Sequence, residues 1–237
     1  LIYGKNWQGK TSLIEAVYFL ATGKSFRTKK LKELFKYNKN RIILFGKNMD
    51  KSNVENTMAV DINEERKDVY INRNKNKYID YVGSLNIISF IPEDIELITG
   101  SPGMRRNFFN YEISQAKRDY LKSIVEFEKI LKVRNKLIRE NKTNDGIYGI
   151  YDGKFLEEGV NIVIYRREFI KNLSILLNLN YRKLFDPESE LKLRYECFLG
   201  NIEKKTHQEL LEKFKEISHK KREREKLLGY TLTGPQK

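Results

Sequence analysis

Eight residues near the start of the chain have types and spacing suited to phosphate chemistry. Gly4-Lys5-Asn6-Trp7-Gln8-Gly9-Lys10-Thr11 fits the pattern G-x-x-x-x-G-K-[ST]. The two glycines let the backbone wrap tightly, so that successive N–H groups can point at phosphate oxygens. Lys10 brings a cation to the β and γ phosphates of a nucleotide, and Thr11 brings a hydroxyl ligand for Mg²⁺. All eight are candidate nucleotide contacts, with Thr11 the candidate metal ligand. Trp7 is out of character, because the middle of such loops usually holds small residues. A large ring there either points to solvent or strains the loop, if the position needs positive φ.

The pattern needs a strand before it and a helix after it. Leu1-Ile2-Tyr3-Gly4 reads as the tail of a strand. Leu13, Val17 and Leu20, with Ile14 and Ala21, recur at helical spacing, and Gly23 fits a C-cap. Such a helix adds its positive N-terminal end to the anion site. Beyond it, short alternating runs predict strands at 41–45, 57–63 and 67–73, with Asn63-Glu64-Glu65 as a turn. Asn86–Ile91 is a nearly continuous apolar run, as in a buried strand, and Pro92-Glu93-Asp94 then opens a short helix. Adjacent Glu93 and Asp94 are read as helix-start residues before any metal role is considered.

From about residue 102 the texture turns helical. Helices are predicted over 105–141, with an apolar stripe through Leu121, Ile124, Leu131 and Leu137, and over 155–185 and 206–226. Asn141–Gly153 reads as a loop. Glu190–Leu199 and Tyr230–Thr233 read as strands. The expected class is α/β: a phosphate-loop lobe with a mixed sheet over 1–101, an inserted helical lobe over 102–188, and a return toward the first lobe over 189–237. Both termini read as continuing into further elements, so the fold is expected to be incomplete at both ends.

Composition narrows the partners. The chain has 237 residues and a formal net charge of +14, which points to a polyanion. Residues 24–47 hold nine Lys or Arg against one acid, Glu33. With Phe26, Phe35 and Tyr37 interleaved, this run is either a DNA-backbone contact or a solvated Lys-rich face. A single cysteine, Cys197, excludes an internal disulfide framework, and two histidines, His207 and His219, argue against a His-rich metal site. Both histidines sit on a charged helix and are read as solvated. No apolar stretch is long enough to span a bilayer and no signal peptide is evident, so the expected compartment is the reducing cytoplasm, with no membrane partner.

An ordered series of motifs carries a resemblance. After Gly4–Thr11 comes Glu15-Ala16-Val17-Tyr18-Phe19-Leu20-Ala21-Thr22-Gly23-Lys24-Ser25-Phe26-Arg27-Thr28. Later come Ile91-Pro92-Glu93-Asp94, Gly100-Ser101-Pro102 with Arg105-Arg106, Ile113-Ser114-Gln115, Arg134-Asn135 and Thr233-Gly234-Pro235. Over almost its whole length the chain resembles the RecF family of bacterial recombination mediators, which are ABC/SMC-type ATPases. It departs from the family at Trp7, where a small residue is usual, and at Asn110, where an Asp is usual.

The resemblance implies ATP and Mg²⁺ as cofactors and an ATP-dependent homodimer. It implies binding to DNA at single-strand gaps and single/double-strand junctions in repair and replication, and help for RecA loading with RecR and RecO. The family's ABC signature motif and Walker B acidic pair find no match, so the chain alone is not expected to hydrolyse ATP. Arg27, Lys29, Lys30, Arg105 and Arg106 are the DNA-contact candidates. Arg105 and Arg106 are alternatively structural, paired with Glu93 or Asp94. Two other readings stay open: a non-catalytic DNA-binding or RecR-docking scaffold whose nucleotide site Trp7 has impaired, and another ABC/SMC-type head. Against the latter, the helical stretch is too short for a long coiled coil.

Overall fold

The computed structural model describes residues 1–28, 30–49 and 52–236, with Glu93 described without its side chain. The chain divides into two compact units. Residues 1–100 and 114–118 form the first, and residues 101–113 and 119–237 the second.

The first unit is built from one helix and one sheet. Helix α1 spans Lys10–Thr22 and stops at Gly23, whose φ of 65° is left-handed. The predicted C-cap is therefore present. A Cβ on Gly23 would lie 2.8 Å from the Tyr78 ring, so both backbone and packing require glycine. The sheet runs β1 (Arg41–Met49), β2 (Glu55–Asn63), β3 (Lys67–Ile71) and β4 (Asn74–Asn76), every pairing antiparallel. Alternation in β2 sends Met58, Val60 and Ile62 inward, where they meet Phe19 of α1, Val69 and Tyr81. Short helix α2 (Tyr78–Tyr81) follows β4, and α3 (Glu96–Thr99) follows a turn of 3₁₀ helix at Pro92–Ile95. Asp94 serves that turn, since its Oδ2 accepts from the Ile91 N–H at 2.9 Å.

The second unit is helical. Helices α4 (Pro102–Ala116) and α5 (Arg118–Arg139) replace the single predicted helix, which breaks at Lys117. The break lies where residues 114–118 pack in the first unit, and there the Gln115 amide holds both backbone groups of Ile87. Helix α6 spans Gly146–Leu184 and α7 spans His207–Leu228. Helix α6 starts well inside the expected loop of 141–153, because Asp145 caps it by accepting from the Ile147 N–H. Thr206 and Glu209 form a reciprocal capping box for α7. The core joins Ile113, Tyr120, Phe127, Phe155, Val160 and Phe214, and a Cβ on Gly159 would meet the Phe214 ring at 2.5 Å. Among the described residues no helix is long and apolar enough to cross a membrane.

Four segments expected as strands are not in a sheet: 1–4, 86–91, 190–199 and 230–233. Over 190–197 burial does alternate along the chain, so the period was real, but no neighbouring strand completes a ladder. Burial alternates over residues 86–91 too, with Ile88 and Phe90 largely exposed rather than buried. Burial alternation reports which face meets the core. It does not report whether a backbone partner exists.

Two buried arginines organise the second unit. Arg134, on α5, has no exposed surface. It donates to Asp152 Oδ1 at 2.9 Å, Glu225 Oε2 at 2.8 Å, Thr231 Oγ1 at 2.6 Å and Ser218 Oγ at 3.4 Å. Burial disfavours the charged guanidinium, but Glu225, Tyr148 and Asp152 outweigh it and hold the pKa above its ordinary value. Arg166, on α6, is likewise buried. It donates to the Tyr120 hydroxyl at 3.1 Å, the Pro235 carbonyl at 2.8 Å and Asn110 Oδ1 at 2.7 Å, all neutral groups. Asn110, where the resembled family usually has Asp, thus takes the place of a counter-charge.

Asn110→Asp should therefore stabilise the protein. The guanidinium is already desolvated, so a carboxylate at 110 turns a neutral hydrogen bond into a charge-assisted one, a gain on the order of 1 kcal/mol or more. Urea unfolding at neutral pH should show a higher midpoint, and the gain should vanish as pH falls through the carboxylate range. An unchanged or lower midpoint would show that Arg166 does not need a counter-ion.

Candidate nucleotide site

The phosphate loop leads into α1 through Gly9, whose φ of 79° and ψ of 12° place it at the N-cap in the left-handed region. No side chain caps α1, so the first N–H groups of the helix are left for another acceptor. Residues 4–9 are exposed along their whole length. Added Cβ atoms at Gly4 and Gly9 would meet nothing within 4 Å, so conformation rather than crowding selects glycine there. Lys10 Nζ folds back over the loop and donates to the carbonyls of Gly4 at 2.8 Å and Lys5 at 2.6 Å. Thr11 is exposed on the first turn beside it. Donor-rich backbone, a cation and a hydroxyl converge on one helix end, which suits a polyphosphate with its Mg²⁺.

Trp7 takes the conformation that a small residue would take more easily. Its φ is 67°, and its side chain is fully exposed. Of the two consequences expected from the sequence, both hold together: the backbone is left-handed, and the ring points to solvent rather than into the loop. Left-handed backbone at a residue with a Cβ costs roughly 1–2 kcal/mol.

The far end of α1 is held by three donors that no sequence pattern signalled. Lys67 Nζ donates to the Gly23 carbonyl at 2.7 Å, Tyr78 Oη to the Thr22 carbonyl at 2.8 Å, and Tyr81 Oη to the Leu20 carbonyl. The Lys67 ammonium also sits 4.5 Å from the centre of the Tyr78 ring. Burial, with the nearby charge of Lys24, pulls the Lys67 pKa down from 10.5 to about 8. Burial pushes Tyr78 up to about 12.

The DNA-contact candidates separate. Arg27 lies beside α1, 3.3 Å from Glu15 Oε2, and Ser25 donates to the other oxygen of Glu15. Lys30 pairs with Glu33 at 3.3 Å. In the same basic run Arg41 pairs with Asp61 and Lys47 with Glu55, so much of the run's charge is already answered. Lys24, Lys32, Lys36 and Lys39 are exposed. Lys29 lies outside the described residues, as does the Glu93 side chain. Arg105 and Arg106 are half-buried on α4, in the second unit rather than with the phosphate loop. Glu15 and Ser25 were missed at the sequence level, and only their position on α1 and its exit could have suggested them. His207 is not simply solvated: its ring Nε2 lies 3.2 Å from Asn161 Oδ1 and 3.3 Å from Glu157. Cys197 is half-buried and burial pushes its thiol pKa up, which suits a packing residue rather than a nucleophile.

No family model matches the chain. Curated proteins do. The chain is 34% identical over 241 residues to the DNA replication and repair protein RecF of Alkaliphilus oremlandii, covering 98% of this chain and 64% of that protein. It is 33% identical to the RecF of Halothermothrix orenii and 31% identical to that of Streptococcus pneumoniae, over 99% and 98% of this chain. Among solved structures, one described as the recombination mediator protein RecF-ATP in the RecFOR pathway superposes with a TM-score of 0.93 at 28% identity. That match covers all of this chain and 65% of the other. A second, described as RecF-ATPrS, gives 0.88 at 26% identity. The chain spans about 64% of the length of the curated relatives it matches.

The Lys67 clasp has a pH signature. Between about pH 8 and pH 10.5 the folded chain has released the Lys67 proton while the unfolded chain still holds it, so stability contributed by this group rises with pH across that window. Denaturant midpoints measured from pH 7.5 to pH 10 should show this increment in the unaltered chain and lack it in Lys67→Met. Parallel pH profiles in the two proteins would contradict the buried placement of the amine.

Proposed function

We propose that this chain is a member of the RecF family that binds ATP with Mg²⁺ on its phosphate loop and serves as the nucleotide-binding part of a DNA recombination mediator. The single observation that carries the nucleotide reading is the left-handed Gly9 feeding an uncapped α1 with Lys10 folded over the loop. The likeness to a RecF-ATP structure over the whole chain supports it. In this reading the backbone N–H groups of residues 4–9 and the start of α1 hold the phosphates. Lys10 leaves its two carbonyl acceptors for phosphate oxygens, and the Thr11 hydroxyl is a ligand to Mg²⁺. The bound ion neutralises phosphate charge. Hydrolysis is not part of the proposal.

The mediator role extends the reading to the relatives' biology: DNA at single-strand gaps in repair and replication, an ATP-dependent homodimer, and work with RecO and RecR on RecA loading. For DNA the exposed cations Lys24, Lys32, Lys36 and Lys39 are better placed than Arg27 or Lys30, whose charges are already paired. A scaffold with an impaired nucleotide site remains the second reading, since Trp7 departs from the family. The outward ring argues against it, because the indole leaves the loop interior clear.

Calorimetric titration with ATP–Mg²⁺ tests both readings. Lys10→Ala should weaken ATP by about 10- to 150-fold, the loss of a charge-assisted hydrogen bond worth about 1.5–3 kcal/mol. Trp7→Gly should bind ATP at least as well as the unaltered chain. Trp7 is the only tryptophan, so its fluorescence should also report ATP addition. If only Trp7→Gly binds ATP, the chain is a disabled switch and the scaffold reading replaces this one.

A further inference from the structure

Helix α7 ends on two leucines that the core does not take. Leu227 is 87% exposed and Leu228 45% exposed, although both lie in the last turn of a helix whose other face is buried through Leu210, Phe214 and Ser218. The chain then turns at Gly229, and the stem of Arg139 at the end of α5 lies across that turn. A Cβ on Gly229 would sit 3.2 Å from Arg139 Cγ. The leucines of α7 and the last turn of α5 therefore share one patch of surface.

Positive charge gathers around them. On α7, Arg224 is the helical-turn neighbour of both leucines, and Lys221 lies one turn further back. On α5, Lys136 lies one turn before Arg139. All four cations are exposed, and Lys221 and Arg224 form no ion pair among the described residues. The carboxylates nearby are already taken: Glu223 by Lys226 at 2.8 Å, and Glu140 by Lys142 at 2.8 Å and Lys136 at 3.8 Å. Lys142, with Lys136 and Arg139, holds the Glu140 carboxyl below its usual range. The helix dipole accounts for cations in a last turn, but not for leucines left in water beside them. We propose that this end of the helical unit docks an acidic segment of a partner protein, with an apolar side chain of that segment seated on Leu227 and Leu228. Opposite charge draws the segment in and orients it, and burial of the leucines holds it. A second copy fits poorly, because a two-fold contact would set this cationic patch against itself. Nucleic acid fits poorly too, since a phosphate backbone would answer the cations and leave the leucines in water. The patch belongs to the helical unit alone, so the inference does not depend on the nucleotide reading.

Fluorescence anisotropy of the full chain with two labelled peptides tests this. One is a short run of alternating aspartate and glutamate ending in leucine and phenylalanine, and the other is the same acidic run ending in two further acids. The apolar-ended peptide should bind about tenfold or more tightly than the all-acidic one. Leu227→Ser should erase that preference, and Arg224→Glu should weaken both peptides several-fold. Both side chains are exposed, so neither change disturbs the core. Equal affinities in the unaltered chain, or a preference that survives Leu227→Ser, would overturn the inference. A single-stranded oligonucleotide that displaces the peptide, loses affinity with Arg224→Glu and keeps it with Leu227→Ser would make the patch a nucleic-acid contact instead. Self-association in sedimentation that Leu227→Ser abolishes would assign the leucines to a second copy, and the inference would again fall.

Discussion

Four hydrogen bonds from one guanidinium tie the helical unit together. Arg134 reaches α6 at Asp152, α7 at Ser218 and Glu225, and the extended segment at Thr231. Arg222 donates to the second oxygen of Asp152, so two cations and two carboxylates share one buried cluster. The guanidinium also lies over the Phe155 ring at 4.7 Å, which joins the polar cluster to the aromatic core. Removing one partner from such a cluster costs about 3–5 kcal/mol, because a buried charge is left unanswered. The cluster also links three helices, since Arg134 on α5 meets acceptors on both α6 and α7. Glu225 extends that link to the backbone by accepting from the Leu232 N–H.

The phosphate-loop unit is built by opposite means. The N-terminal end of α1 is open, and the helix is secured from the other end. Lys67, Tyr78 and Tyr81 spend their donors on the last carbonyls of α1, where a cation also complements the helix dipole. The N-terminal end keeps uncapped N–H groups and an exposed loop. Lys10 lies on two carbonyls of its own loop, so in the proposed reading a phosphate would displace contacts that are already charge-assisted. The strain at Trp7 belongs to the same economy, since the loop holds its left-handed turn at position 7 even with an indole there.

Local chemistry was legible wherever the signal was short in range. The loop, α1 and its Gly23 cap, the hairpin strands β1 to β3 and the capped α7 follow from periodicity, glycine placement and capping residues that act within a few positions. The onset of α6 was missed because three glycines, Gly146, Gly149 and Gly153, resemble a loop, yet one aspartate cap and a long packed face outweigh their propensity. The extended segments at 86–91 and 190–199 show the limit from the other side. Burial alternates along both, but a strand is defined by a partner, and a partner is not a property of the segment.

By itself, the amino-acid sequence determined the phosphate loop, the positive balance of charge and the succession of helical and extended segments. These rest on residue type and on spacing along the chain. Only the tertiary structure decided which charges are spent on one another. Arg27 meets Glu15 twelve residues away, Arg134 meets Glu225 ninety-one residues away, and Lys67 meets Gly23 across forty-four. Such pairings depend on how helices and strands pack, and packing is set by the summed burial of many side chains rather than by any local pattern. The same packing leaves a cavity beside α1 that no motif announces, because its walls come from one helix, two strands and the chain between them.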